Sequence, residues 1–296
     1  MGNKSWIVVL IVAICGAGVV SLFLLVLAGL FLPERQSLAL GDKVGLVEVT
    51  GTISISDPIV DEIARFTEDR AIKAIVVRLE SPGGVVAASQ EIYDELRRAR
   101  SKGKVVVASM GGVAASGAYY VACGADSIVA NPGTLTGSIG VIMSFPNTGE
   151  LLKKIGIEMQ VVKTGEFKDM GSITRPLTPD ERQLVSDLIG DVYDQFVNVV
   201  ADARRMDVEA VKKIADGRVM TGRQAYNLGL VDRLGGFKDA VTLAGQLAGI
   251  SGEPTVVKRR KHATTLWDLI DNLRGMASTV ASRVNRESVS IEYLLQ

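Results

Sequence analysis

From residue 43 onward, apolar and polar positions alternate between two rhythms. Short β-like runs occupy residues 44–49, 74–79, 105–109, 127–130 and 158–162. Between them, residues 57–66 and 86–100 show helical spacing, the second with Glu91, Asp94, Glu95, Arg97 and Arg98 as its charged face. Strand and helix patterns in this order predict an α/β fold, a largely parallel sheet layered with crossover helices. Farther on, Thr178-Pro179-Asp180-Glu181 predicts a helix start, with Thr178 as cap, Pro179 in the first helical position and carboxylates in the first turn. That helix should run to about residue 206. Thr221-Gly222-Arg223-Gln224 opens a short helix ending near Leu228-Gly229, and residues 237–247 form another. No internal repeat is visible.

The N-terminal region follows neither rhythm. From Ser5 to Pro33 there are 29 residues without a charge, more than the ~20 that cross a bilayer as a helix. One transmembrane helix is expected, with residues 6–32 in the lipid. A cleaved signal is the rival, since Lys4 precedes the run and Val26-Leu27-Ala28 resembles a cleavage site. The run is too long for that and continues as Gly29-Leu30-Phe31-Leu32. A lipoprotein reading of Ala13-Ile14-Cys15-Gly16 fails on bulky Ile14. Lys4 on one side and Arg35 and Lys43 on the other do not decide orientation. The expected organisation is an anchor over residues 1–33, a linker over 34–42, an α/β body over 43–250 and a basic tail over 251–296.

Composition narrows the chemistry. With 47% hydrophobic residues, 31 Gly and only 8 Pro among 296 residues, the chain is neither disordered nor collagen-like. Thirty-three basic residues balance 33 acidic ones, so no global field attracts nucleic acid, and none is expected as a partner. Cys15 lies in the apolar N-terminal run, so pairing with Cys123 is not expected and a disulfide scaffold is excluded. The single histidine, His262, falls in the basic stretch Lys258-Arg259-Arg260-Lys261-His262, outside the α/β body. The usual base of a serine or cysteine hydrolase is therefore missing, and no grouped His or Cys ligands suggest a zinc site. No cofactor and no metal are expected.

Three segments carry candidate chemistry. In Met110-Gly111-Gly112-Val113-Ala114-Ala115-Ser116-Gly117-Ala118-Tyr119-Tyr120, a β-like run leads into a Gly/Ala-rich turn. Such a strand-to-helix turn exposes the Ser116 hydroxyl and leaves backbone N–H groups, Gly117 among them, aimed where an oxyanion would form. The plainer reading makes Ser116 a helix cap within close packing. Glu80-Ser81-Pro82-Gly83-Gly84 ends another run, and its glycines allow the close approach a second oxyanion donor needs, though many α/β proteins contain such a turn. Lys168, in Lys163-Thr164-Gly165-Glu166-Phe167-Lys168-Asp169, is a candidate base if its environment favours the neutral amine. Composition alone gives it no preference over Lys163.

Together these segments resemble the short-form signal peptide peptidase A family, serine proteases of the ClpP/crotonase superfold. The resemblance covers roughly residues 44–240. It is carried in order by the Ser81–Gly84 turn, Ala115-Ser116-Gly117-Ala118-Tyr119-Tyr120, Gly133-Thr134-Leu135-Thr136-Gly137-Ser138-Ile139-Gly140-Val141 and Thr164-Gly165-Glu166-Phe167-Lys168-Asp169. Asp216-Gly217-Arg218-Val219-Met220-Thr221-Gly222-Arg223-Gln224-Ala225 and Leu228-Gly229-Leu230-Val231-Asp232 complete it. The resemblance implies a Ser/Lys dyad of Ser116 and Lys168, 52 residues apart. It implies oxyanion donors at Gly83 and Gly117, with Gly84 an alternative, and Ser138 orienting the lysine amine.

The same resemblance implies a homo-oligomeric ring in which one subunit's lysine serves a neighbour's serine. It also implies signal-peptide remnants and other short, unfolded peptides as substrates, and a single-pass protein of the cytoplasmic membrane with its protease body on the extracytoplasmic side. Competing readings are a stomatin-type protease specific for one membrane protein, a crotonase-like acyl-CoA enzyme using Glu80 or Glu91, and a non-enzymatic membrane scaffold.

Overall fold

A computed structural model describes residues 42–258 and 292–294. The expected membrane helix over residues 6–32 and His262 lie outside the described residues. Among the described residues, no helix is long and apolar enough to cross a membrane.

The chain runs through β1 (Lys43–Thr50), α1 (Asp57–Glu68), β2 (Ile72–Ser81), β3 (Gly83–Val85), α2 (Val86–Ser101), β4 (Val105–Ala115) and α3 (Gly117–Ala122). It continues through β5 (Ser127–Ala130), β6 (Leu135–Gly137), α4 (Gly149–Lys154), α5 (Pro179–Arg204), α6 (Val208–Lys212), β7 (Val219–Thr221) and α7 (Gly222–Asn227). After β8 (Arg233–Leu234), α8 (Phe237–Leu247) and β9 (Thr255–Lys258), β10 (Glu292–Leu294) is the last described element.

The main sheet has the order β7-β6-β4-β2-β1-β9, with β5 also on β4 and β8 on β5. Every pairing in it is parallel except β6–β7. Parallel neighbours cannot be joined by tight hairpins, so α1 and α2 serve as crossovers. β2 lies between β1 and β4 and is buried on both faces. Ile75, Val77 and Leu79 join a cluster with Ile63, Ile92, Leu96, Met110, Tyr119 and Phe196. Ala74 and Val76 face the other layer, with Val44, Val107, Val129 and Ala240, Leu243 and Ala244 of α8.

The strongest sequence patterns fold as expected. Both threonine-led helix starts close reciprocal capping boxes: Glu181 N–H donates to Thr178 Oγ1 and Thr178 N–H to Glu181 Oε2, and Thr221 and Gln224 repeat the arrangement. The expected strand over residues 158–162 does not form. Those residues are exposed and pair with no described strand, so their strand-like pattern gains no ladder. Conversely, β9 joins β1 in parallel, extending the sheet into a segment whose composition reads as tail.

β4 forks. Residues 107–110 pair with β5, whereas residues 113–115 pair with β6. The lower half belongs to the open sheet, and the upper half leads to Ser116.

Candidate active site

Ser116 stands between β4 and α3 with φ 55° and ψ −119°, a left-handed backbone for a residue that has a Cβ. Such a conformation costs about 1–3 kcal/mol and persists only where surrounding structure imposes it. Here the Ser116 N–H donates to Gly137 O at 2.8 Å, and the Ser116 carbonyl accepts from Tyr120 N–H at 2.9 Å. The hydroxyl caps nothing, so the plain-cap reading fails. Ser116 is 1% exposed, and its Oγ is the one fully buried side-chain polar atom among the described residues without a hydrogen-bond partner. Leaving a buried hydroxyl unpaired is costly by about 1–3 kcal/mol. The Gly117 N–H lies in the first turn of α3, where the helix itself offers no acceptor. A strained strand-to-helix turn presenting a hydroxyl beside a free N–H is the elbow used by serine nucleophiles.

The second candidate turn comes to the same place, because β3 packs against α3. Gly83 has φ 104°, which only glycine adopts readily. Its N–H, the expected oxyanion donor, instead donates to the buried Ser81 Oγ at 3.1 Å within its own turn, which leaves the alternative, the Gly84 N–H. On one side of β3, Gly83 O accepts from Ile53 N–H at 2.8 Å and Val85 N–H donates to Ile53 O at 2.7 Å. Strand alternation therefore turns the Gly84 N–H and carbonyl to the opposite edge. Along that edge β10 pairs antiparallel, with Glu292 opposite Val85, Tyr293 opposite Gly84 and Leu294 opposite Gly83, and it also contacts α3. The edge beside the nucleophile thus accepts an extended backbone.

The lysine does not join them within one chain. Lys168 sits in a turn closed by Lys168 N–H to Gly165 O at 3.2 Å, and its side chain is exposed. Since Ser116 Oγ has no partner, no Lys168 contact reaches it. The two lysines of this segment nevertheless separate clearly. Lys163 Nζ donates to Asp169 Oδ1 and Glu166 O, each at 2.6 Å, whereas Lys168 Nζ has no ion pair or hydrogen bond among the described residues. Beside it, Asp169 and Glu181 converge on Arg175, with Arg175 Nη2 2.9 Å from Asp169 Oδ1 and 2.5 Å from Glu181 Oε1. Hydrogen bonds from Arg175 and Lys163 hold the Asp169 carboxyl well below the usual carboxylate range. Arg175, then the Thr178 N–H, bring Glu181 down to about 2.

In the segment leading to Lys168, Leu151, Ile155, Val162 and Phe167 are all exposed. A groove of about 680 Å³ lined by Leu152, Ile157, Met159 and Val161 runs alongside, with Asp169 and Arg175 at its margin.

Ser138 is placed close to the elbow, one residue after the Gly137 carbonyl that holds Ser116; it has φ 50°, and its N–H donates to Arg218 O at 2.8 Å. Among the described residues its hydroxyl makes no bond to Lys168. The two acids of the acyl-CoA reading are both engaged: Ser56 Oγ donates to Glu91 Oε2, and Glu80 accepts from backbone N–H groups of Gly112 and Val113. Burial pushes the Cys123 thiol up to about 12, so it is no thiolate nucleophile. Among the described residues, no group of three or more His, Cys, Asp or Glu could hold a metal ion. Composition and motif spacing missed the acceptors that hold this site together, Gly137 O and Ser81 Oγ, because both roles depend on strand neighbours.

An α/β sheet presenting a strained serine elbow next to a glycine turn, with a strand edge beside it that pairs with an extended backbone, defines a serine-type peptidase. Comparison with known proteins places it further. The Peptidase family S49 model matches residues 98–251, and a Clp protease model matches residues 44–134, in keeping with a ClpP-like α/β fold. The chain belongs to peptidase family S49. A protease of Synechocystis sp. is 47% identical over 70% of this chain and 75% of its own length. Protease 4 of Salmonella typhi is 42% identical over 64% of this chain, which spans only 32% of that protein. A signal peptide peptidase SppA of Enterococcus faecium is 35% identical over 75% of this chain and 66% of its own. Among solved structures, a ClpP1 mutant from Listeria monocytogenes aligns with 66% of this chain at 16% identity and a TM-score of 0.45.

Proposed function

We propose that this protein is a membrane-anchored endopeptidase that degrades remnant signal peptides and other short, unfolded peptides, with Ser116 as nucleophile and Lys168 as general base. The observation that carries this reading is the buried, unpartnered Ser116 hydroxyl on a strained elbow. The β3 edge supports a peptide substrate, because an extended strand bound there gains main-chain hydrogen bonds whatever its sequence. The uncharged run over residues 5–33 supports the anchor, since cleaved signal peptides stay in the bilayer. The protease body is assigned to the extracytoplasmic side of the cytoplasmic membrane, and accessibility of the body to added protease in intact cells tests that side.

In the first step the neutral Lys168 amine takes the Ser116 proton as Oγ attacks the scissile carbonyl carbon. The resulting oxyanion is met by the N–H groups of Gly117 and Gly84, since the Gly83 N–H is engaged by Ser81 Oγ, with Ser138 orienting the amine. The lysine ammonium then protonates the departing amine, leaving an acyl ester on Ser116. Water attacks that ester, giving one proton to Lys168, which returns it to Ser116 Oγ as the acid product leaves.

Lys168 is supplied by a second copy of the chain. Among the described residues the serine has no base and the lysine no partner, while the segment leading to Lys168 exposes Leu151, Ile155, Val162 and Phe167 for a second copy to cover. The decisive experiment measures hydrolysis of a fluorogenic peptide library by the full chain, Ser116→Ala and Lys168→Ala at matched oligomeric state. Each variant should lose at least about a thousandfold in kcat, and mixing the two should restore activity. Cleavage that persists in both variants would falsify the dyad.

A further inference from the structure

Glu80 immediately precedes the Ser81-Pro82-Gly83-Gly84 turn, and the peptidase chemistry gives it no task. Its surroundings do. Between β2 and β4 the register slips: Leu79 opposes Met110, but Ser81 opposes Ala114. One β2 residue, Glu80, therefore faces three β4 residues, 111–113, whose N–H groups cannot all find a β2 carbonyl. The Glu80 carboxylate takes that role. Gly112 N–H donates to Oε1 at 3.0 Å and Oε2 at 2.9 Å, and Val113 N–H donates to Oε1 at 3.1 Å.

The chain is shaped to admit it. A Cβ at Gly111 would lie 1.7 Å from Glu80 Oε2, so a side chain there and the carboxylate exclude each other. Arg78 stands behind, its Nη2 3.9 Å from Oε2 while Nη1 donates to Met110 O at 3.1 Å. From the far side, Thr134 Oγ1 donates to Gly111 O and Thr136 Oγ1 to Ala114 O, each at 2.7 Å. The bulge is thus gripped on both edges.

Glu80 lies three residues before Gly83, and the backbone it grips lies just before Ser116. We propose that Glu80 is a positioning residue, a bracket that sets the glycine turn at the right separation from the serine elbow. Oxyanion donors act only when they meet the developing charge within a fraction of an ångström, and a misplacement of about 1 Å can cost 10²-fold in rate. The proposal rests on the reading of Ser116 as nucleophile. It adds that the catalytic distance is held by a carboxylate that touches neither substrate nor base.

Three variants test it in the full-length oligomer: Glu80→Ala, Glu80→Gln and Gly111→Ala. Glu80→Ala should lower kcat about 10- to 100-fold with KM changed less than about twofold. Affinity for a peptide aldehyde, which forms an oxyanion on Ser116, should fall in parallel, while a labelled peptide should bind Ser116→Ala equally well with or without Glu80→Ala. Glu80→Gln, keeping one carbonyl acceptor, should fall between. Gly111→Ala should mimic Glu80→Ala, and combining them should cost no more than either alone. Unchanged kcat in Glu80→Ala, an additive double variant, or equal loss of ground-state peptide binding overturns the proposal. Hydrogen exchange provides a readout independent of turnover: residues 111–117 should lose protection in Glu80→Ala. Retained protection overturns the bracket, whereas lost protection in an enzyme that cleaves nothing supports it and sinks the peptidase reading.

Discussion

Ser116 shows how a single residue's conformation reveals its employment. An L-residue at φ 55° with its hydroxyl buried and unpaired is held by bonds to Gly137 and Tyr120 that give the hydroxyl itself no partner. Strain of this kind accumulates where a group must be aimed rather than merely accommodated. The glycines opposite are equally specific. A Cβ at Gly84 would stand 2.2 Å from Ile53 O, a main-chain atom fastened by its bond to Val85 N–H. Gly84→Ala should therefore push β3 away from Ile53 and lower kcat by more than about tenfold while reducing Tm by several degrees. Steady-state kinetics with thermal unfolding on the same sample checks this, and an unaffected enzyme would show that the turn is more pliable than its contacts indicate.

At the scale of elements, β3 and the start of α5 each carry a consequence. β10 lies along the edge where the proposed peptide substrate would pair, so the chain's own strand would compete with it. Tyr293→Pro, which removes the N–H opposite Gly84, should lower KM for short peptides severalfold with little change in kcat. A peptide comprising residues 289–296 should then inhibit that variant competitively. An unchanged KM would mean that β10 does not hold the edge during turnover.

The start of α5 is tied to the Lys168 segment through Arg175, which binds both Asp169 and Glu181. The Glu181 carboxyl is lowered from the ordinary 4.5 to about 2. A group whose folded-state pKa is depressed stabilises the fold fully above its unfolded value and loses that contribution as pH falls through the folded value. Between pH ~4.5 and ~2 the wild type should therefore lose stability that Glu181→Gln lacks from the outset. Their Tm curves should converge on acidification, and parallel curves would contradict the assignment.

At the scale of the whole molecule, the exposed apolar residues of the segment leading to Lys168 need a cover. Leu151, Ile155, Val162 and Phe167 are exposed on a segment that carries the candidate base yet never meets Ser116 in its own chain. The proposed assembly of copies would account for both facts together, burying these residues and supplying the amine. Val162→Asp should shift the protein toward smaller species in light scattering and lower peptidase activity in proportion. Full assembly with full activity would place the interface elsewhere.

Much of this was legible along the chain. The alternation of patterns predicted the α/β sheet, and residues 127–130 and 237–247 fold as their patterns indicate, because burying an apolar face requires little beyond local periodicity. Capping at Thr178 and Thr221 was equally local. The family resemblance grouped Ser116, Gly117, Gly83 and Lys168; the structure brings the glycine turn beside the serine's helix and leaves Lys168 unbonded to the serine. Long-range pairing decided the rest. Residues 158–162 have strand-like composition yet pair with no described strand, whereas β6, β7 and β9 are short strands laddered to a neighbour. The strain at Ser116, the grip of Glu80 on Gly112 and Val113, and the separation of Lys168 from the serine depend on contacts between residues far apart in sequence. Sequence determines which groups are available and which faces must be buried; only the closed sheet decides which backbone atoms meet, because hydrogen bonds and close approach depend on ångström-scale register between strands that local patterning does not encode.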